Sequence, residues 1–447
     1  MPREIPQYTL DGIRDANIST HYFGTADGLG LSMLRFTRRT DGDAVLVIHG
    51  LTTSTDMFIM PEHRNLVTCL LDEGFDVWCL DFRMSNRHHH NLTYHRYTLD
   101  DCALFDFPPA VEVVRSHIGQ RPLHVIAHCL GSASFTMSLF GRAVTGITSL
   151  VANSVALTPR IPRWSRMKLS VAPRIVELAG MQYVNPRWNE DPWLTPGKVF
   201  SRTLSAFHRE CDEPSCHMLS FMWGTGWPAL YNHENLDERT HRRAGDLYGP
   251  TSMHYYRHMM KMVRAGNTAV KYQPGNPAHT ALPDNYFEHA RDIDTPVLFM
   301  TGTDNRVFTD SNVECHRRLV ELGCTQHELK EFPGYGHQDV FMGKDVARDI
   351  FPAPDRFHQE AGRWIPRRTQ PGSRVRARRT TDRAPAGPAG GGRGAARQPK
   401  GRAGRREAMT VPAWSRPRTR GPGRSRRDRL RYVLRDGGDW TVERLAP

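Results

Sequence analysis

Apolar positions along the chain fall into short runs separated by amphipathic stretches. Runs of strand character occur at Ala44-Val-Leu-Val-Ile48, Phe75–Leu80, Leu123–Ala127, Ser149–Ala152, Pro296–Met300 and Gln326–Phe332. Most are continuously apolar rather than alternating, which suits strands buried on both faces of a parallel sheet. Helix-period stretches lie between them at 60–73, 100–118, 130–142, 310–322 and 343–362. The alternation predicts an α/β domain, a mostly parallel sheet with helices on both faces. Ahead of it, residues 18–38 read as two strands joined by an Asp27-Gly28 turn.

One segment breaks the rhythm. Residues 159–290 hold no comparable apolar strand run and are rich in Trp, Met, His, Tyr and Arg, as in His254-Tyr-Tyr-Arg-His-Met-Met-Lys-Met-Val-Arg264. They are expected to form a mostly helical cap inserted into a core built from 1–158 and 291–365. From residue 366 the chain changes in kind to an Arg, Gly, Ala and Pro mixture that supplies no hydrophobic core, so 366–447 is expected to be a disordered tail.

Charge follows the same division. The whole chain carries a formal +13, but residues 366–447 hold 23 basic and 6 acidic residues, leaving the first 365 at a net −4. A basic chain suggests nucleic acid or an anionic surface; here that suggestion belongs to the tail alone, as a weak nonspecific contact. No apolar run is long enough to span a bilayer, and no apolar segment follows the basic start of the N-terminus. Eight cysteines scattered through a long chain, several inside strand-like runs, read as reduced buried thiols in a cytoplasmic protein.

The chemistry concentrates at Leu123-His-Val-Ile-Ala-His-Cys-Leu-Gly-Ser132. A buried strand ends, a tight turn carries Cys129, and a helix opens with small residues. This is the nucleophile-elbow pattern, with Ala127 and Gly131 at the small positions and cysteine at the nucleophile. Ile48-His49-Gly50-Leu51-Thr52 follows the first core strand, so the backbone amides of Leu51 and Leu130 are the expected oxyanion donors. His337, in Phe332-Pro-Gly-Tyr-Gly-His337-Gln-Asp after the last strand, is the expected base. Asp304, in Thr301-Gly-Thr-Asp-Asn-Arg-Val307, is the expected acid that orients it. Counting three on from Gly302 lands on Asn305, which leaves Asn305 as the alternative orienting residue. A helix N-terminus and a nearby histidine are expected to depress the Cys129 pKa. A cysteine at this turn points to acyl transfer through a thioester.

Other clusters carry less. His88, His89 and His90 with His95 do not make a metal site, because three consecutive residues cannot all face one ion in a regular element. Cys211, Cys216, His208 and His217 lie near one another in the inserted segment, but their C-x4-C spacing lacks a tight knuckle. No metal and no cofactor is assigned.

Taken together, His49-Gly50, Gly74-Phe-Asp-Val-Trp-Cys-Leu-Asp-Phe-Arg83, Tyr97-Thr-Leu-Asp-Asp101, Ala127-His-Cys-Leu-Gly-Ser132, Tyr231-Asn-His-Glu-Asn-Leu236 and Gly334-Tyr-Gly-His-Gln-Asp339 resemble the α/β-hydrolase fold. More narrowly they resemble the hydrolase module fused behind GMC-type, cholesterol-oxidase-like flavin oxidoreductases and, at greater distance, the acid lipases. No G-x-G-x-x-G follows an N-terminal strand, so the flavoprotein half is absent from this chain. The resemblance implies an esterase, lipase or lactonase acting on a small apolar ester or lactone, lipid- or steroid-like. The cysteine elbow is also similar to that of polyhydroxyalkanoate synthases and dienelactone hydrolases, so Cys-dependent acyl transfer is one alternative. A nucleic-acid-binding role through the tail is another.

Overall fold

The computed structural model describes residues 10–88, 97–178, 180, 183–363, 430–434 and 440–444. The chain divides into two units, Met1–Pro366 and Arg367–Pro447. In the second, Leu430–Leu434 pairs antiparallel with Trp440–Arg444; the rest of the expected tail lies outside the described residues.

The first unit is organised by an eight-stranded sheet. Its strands are β1 (Asn17–Gly24), β2 (Gly30–Thr37), β3 (Ala44–Ile48), β4 (Asp76–Asp81), β5 (Leu123–His128), β6 (Ser149–Asn153), β9 (Val297–Gly302) and β10 (Glu328–Phe332), in the order β1-β2-β4-β3-β5-β6-β9-β10. Two two-residue strands of the inserted segment, β7 (Tyr183–Val184) and β8 (Thr251–Ser252), pair with each other. β1 and β2 form the expected hairpin, with Gly28 at φ 91° in its turn, and β2 runs antiparallel to β4. From β4 onward all neighbours are parallel. Every residue of β3, β4, β5, β6 and β9 is buried. That is the physical content of the continuous apolar runs: both faces of these strands are covered by helices.

Parallel strands align their carboxyl ends, and those ends are where such sheets place their chemistry. Here that edge gathers His49–Leu51 after β3, Cys129 after β5, Ser154 after β6, Asn305 after β9 and His337 after β10. Arg83 stands in the turn just past β4. It is fully buried, bonded to Asp106 (2.6 Å) and to Asp27 of the hairpin turn (2.8 Å), with Tyr97 over its guanidinium at 4.7 Å. Two carboxylates and an aromatic face together satisfy the fork of a desolvated arginine. His89, His90 and His95 lie outside the described residues.

Between β6 and β9 the chain runs through helices Arg163–Leu178, Pro196–Phe207, Pro214–Trp223, Glu238–Arg242 and Met253–Arg264. No described helix is long and apolar enough to cross a membrane.

Candidate active site

β5 is extended through His128 (φ −120°, ψ 142°), and the next residue, Cys129, turns to φ 54° to open the helix Cys129–Phe140. A left-handed conformation at a residue with a side chain is uncommon and costs free energy, so surrounding contacts must impose it. They are visible in two glycines. A Cβ on Gly131 would stand 2.0 Å from the carbonyl oxygen of His49, and one on Gly50 would stand 2.9 Å from Cβ of Cys129. The loop after β3 therefore lies directly against the elbow, a separation only glycine allows.

That approach aims two backbone amides, those of Leu130 and Leu51, at the Cys129 sulfur. Both favour the thiolate, yet burial outweighs them and pushes the thiol up to about 12. The depressed pKa expected from a helix N-terminus and a histidine is thus not what this state shows. The side chain is 4% exposed, and desolvation of a charged sulfur dominates. His337 is 1% exposed and held well below its usual pKa, first by burial and then by His128. The thiol of Cys129 and ring nitrogens of His128 and His337 lie within 4.8 Å of one another. At rest this is a neutral thiol beside neutral imidazoles.

The two histidines are held differently. His128 accepts at Nδ1 from Nδ2 of Asn153 (2.8 Å) and donates from Nε2 to Oε1 of Gln338 (3.1 Å). Both nitrogens are used, its tautomer is fixed, and burial takes its pKa down to about 3. It packs against the ring of His337 at 4.9 Å and has no nitrogen left for proton transfer. His337 is anchored by its backbone N–H on the Leu230 carbonyl (2.9 Å) and has one side-chain hydrogen bond, between Nδ1 and Oγ of Ser154 at 2.7 Å.

The expected acid, Asp304, is not brought to His337. The Asp304 carboxylate is half-buried on the outer side of its turn, with Thr303 Oγ1 at 3.4 Å as its side-chain partner, and it does not meet His337. The next residue points inward. Nδ2 of Asn305 donates to Oγ of Ser154 (2.6 Å), while its Oδ1 accepts from the amides of Val307 and Phe308 (both 3.0 Å). Those two donors fix which end of the amide faces Ser154. Ser154 itself sits at φ 79°, one residue past β6. Its oxygen accepts from Asn305 and shares a hydrogen bond with Nδ1 of His337, so the hydroxyl links the Asn305 amide to the His337 ring on the side away from Nε2. The side chains behind Nδ1 of His337 are therefore a hydroxyl and an amide, neither of them charged. Asn305, the alternative at three residues from Gly302, meets Ser154 rather than His337 itself. Ser154, Asn153 and Gln338 are absent from the sequence-based site; a search for carboxylates passes over the residue after β6.

The aromatic cover comes from the inserted segment. Tyr256 stacks on Trp223 at 5.4 Å, and its buried hydroxyl has no hydrogen-bond partner among the described residues. A cleft of about 600 Å³ beside Ile147, Thr148 and Pro296 opens at the opposite, amino-terminal edge of the sheet and plays no part in this site.

Comparison with known proteins bears on the fold. The model of the alpha/beta hydrolase fold matches residues 43–343. Lipase member K of Homo sapiens is 25% identical over 327 residues, covering 69% of this chain and 77% of that protein. A poly(3-hydroxyalkanoate) polymerase subunit PhaC of Haloferax mediterranei is 25% identical over 130 residues, 28% of this chain and 25% of that one. Among solved structures, a carboxyl esterase of Bacillus coagulans superposes with a TM-score of 0.49 at 14% identity, over 77% of this chain and 99% of that one. The sheet order, the strained residue after β5 and the match across two thirds of the sequence lead to one statement: this chain belongs to the alpha/beta hydrolase fold family and is a carboxylic ester hydrolase.

Proposed function

We propose that the chain hydrolyses esters of apolar, lipid-like acids through a thioester on Cys129, with His337 as base and the segment 159–290 as cap. The observation that carries this reading is the placement of Cys129: strained at φ 54°, its sulfur under the amides of Leu51 and Leu130 and within 4.8 Å of a histidine nitrogen. His337 takes the thiol proton as the sulfur adds to the ester carbon. The two amides hold the resulting oxyanion. Collapse expels the alcohol, which leaves with the proton from His337. Water then attacks the thioester, giving up its proton to His337 and releasing the acid and the free thiol.

Two features support an apolar substrate. The site is covered, and the helix Arg163–Leu178 turns Trp164, Met167, Val171, Ile175 and Leu178 outward along one stripe, each half exposed or more. A contiguous apolar face of this kind marks a contact with lipid or another apolar surface. The resemblance to the hydrolase module of GMC-type oxidoreductases points to lipid or steroid esters as well.

The reading is tested with p-nitrophenyl esters of graded chain length, following nitrophenol release and intact mass together. An acyl adduct on Cys129 with rates that rise with chain length is expected; no release and no adduct at any length would overturn it. Adding an alcohol separates hydrolysis from acyl transfer, the second reading that the partial match to the polymerase subunit favours. The stripe gives its own prediction. Turnover per molecule is expected to rise severalfold when the ester passes from monomers to an emulsion, in keeping with burial of an apolar helix face at an interface. Met167→Asp with Ile175→Asp should remove that rise and leave the monomer rate in place. A rate that follows simple saturation across the transition would count against the cap.

A further inference from the structure

The inserted segment contains a second cluster of chemistry, apart from Cys129. Cys211 lies between the helices Pro196–Phe207 and Pro214–Trp223, and Cys216 stands in the first turn of the latter. His233 comes from the short turn His233–Asn235 and His241 from the helix Glu238–Arg242. One ligand atom from each of the four lies within 4.8 Å of all the others. We propose that Cys211, Cys216, His233 and His241 form a tetrahedral structural zinc site.

The distances fit that coordination. With bonds of about 2.3 Å to sulfur and about 2.0–2.1 Å to nitrogen, two ligands on one tetrahedral zinc stand about 3.5 Å apart. Cys216 Sγ lies 3.5 Å from His233 Nε2. The other nitrogen of His233 faces Oε2 of Glu210 at 3.7 Å, the outer carboxylate that commonly fixes the tautomer of a metal-bound histidine. Nε2 of His241 is buried with no hydrogen-bond partner among the described residues, which a metal would supply. His217, which the sequence grouped with the cysteines, also approaches the Cys211 sulfur at 3.4 Å, but that Nε2 is closer to the Cys211 carbonyl (2.8 Å) and its Nδ1 is on Ser205 (2.8 Å). With His208 and Cys211 it makes a group of only three, with a single cysteine. The C-x4-C spacing lacks a knuckle because the remaining ligands come from 17 and 25 residues beyond Cys216, brought back by the turn at His233. Two cysteines and two histidines with no open position suit a structural zinc, and binding releases the thiol protons into solution.

The site also has something to hold. The segment between Cys216 and His241 includes Leu230, whose carbonyl anchors the His337 backbone (2.9 Å), and Asn235, whose side chain bonds Gly334 (2.8 Å) and Asp339 (2.7 Å). A metal at Cys216 and His233 would thus brace the loop that carries the proposed base. That consequence rests on the proposed function; the metal site does not.

The test uses the full chain, carrying no histidine tag, reduced, exposed to micromolar zinc chloride and desalted. Elemental analysis should find about one zinc per chain, and cobalt(II) in its place should give intense d–d bands with a thiolate charge-transfer band, as S₂N₂ tetrahedral coordination requires. Cys216→Ser and His241→Ala should each lose most of the metal, whereas Cys324→Ser should keep it. A wild-type chain that takes up no zinc overturns the proposal, as does zinc that survives both ligand substitutions. A chain two hydrogens lighter, with Cys211 and Cys216 joined by a disulfide under the same conditions, overturns it in favour of a cross-link. None of these readings depends on ester turnover, so failure of the metal site and failure of the esterase reading are told apart.

Discussion

Cys129→Ala is expected to lower kcat/KM for a medium-chain p-nitrophenyl ester by at least about 10³-fold, the scale on which loss of a nucleophile is felt in such constellations. The change removes one sulfur that packs at the elbow, and alanine keeps the helix start, so the protein should remain folded. Controls come from the other buried thiols. Cys79 lies in the middle of β4 and Cys315 on the helix Ser311–Glu321; both are fully buried and both are pushed up by burial, as Cys129 is. What separates Cys129 is its left-handed backbone, the paired amides of Leu51 and Leu130, and the nearby imidazole. Cys79→Ala and Cys315→Ala should therefore cost about 1 kcal/mol or more of stability through lost packing and leave turnover per folded molecule within about twofold. Steady-state kinetics with a denaturation midpoint for each variant checks this. Equal losses of turnover at all three positions would remove any special role for Cys129.

Much of this arrangement is legible in the chain, for reasons that differ by residue. The elbow can be read because close approach leaves no choice at Gly131 and Gly50, and because a two-sided buried strand must be continuously apolar at Leu123–Ala127. His337 can be read because the parallel sheet forces the loop after its last strand to the same edge as Cys129. The orienting group cannot be read so easily. Asp304 and Asn305 differ by one position in a turn, and which of them points inward depends on the amides of Val307 and Phe308, which draw the Asn305 oxygen toward themselves. Ser154 carries no charge to draw notice. The cluster in the inserted segment is hidden for another reason: His233 and His241 reach Cys216 only through the fold of the segment between them. The burial that reverses the expected shift at Cys129 is likewise a property of the folded chain, to which the loop after β3, nearly 80 positions away, contributes by lying against the elbow.

Ser154→Ala is expected to lower kcat roughly ten- to a hundredfold, while Asp304→Ala should leave it within about twofold. Removing the hydroxyl leaves Nδ1 of the buried His337 ring without its side-chain hydrogen bond, a loss of about 1–3 kcal/mol, and frees the ring to change tautomer and orientation. Asp304 touches neither the ring nor Ser154. The pH dependence follows with its sign. His337 must be neutral to accept the thiol proton, and burial holds its pKa well below 6.5, so the acid limb of kcat/KM should lie below pH 6.5. Ser154→Asp places a carboxylate against Nδ1 at a backbone conformation aspartate tolerates. It stabilises the imidazolium, raises the pKa of His337, and moves the acid limb to higher pH, so activity is lost sooner on acidification. Burial raises Cys129 and lowers His337, but a thiol is intrinsically far more acidic than an alcohol, so a serine hydroxyl in the same place needs a stronger base still. Cys129→Ser alone should therefore be nearly inactive, and Cys129→Ser combined with Ser154→Asp should recover more than the two separate effects allow. That coupling is read from a double-mutant cycle on kcat/KM. A greater loss at Asp304→Ala than at Ser154→Ala, or an acid limb unmoved by Ser154→Asp, would return the orienting role to the carboxylate after β9.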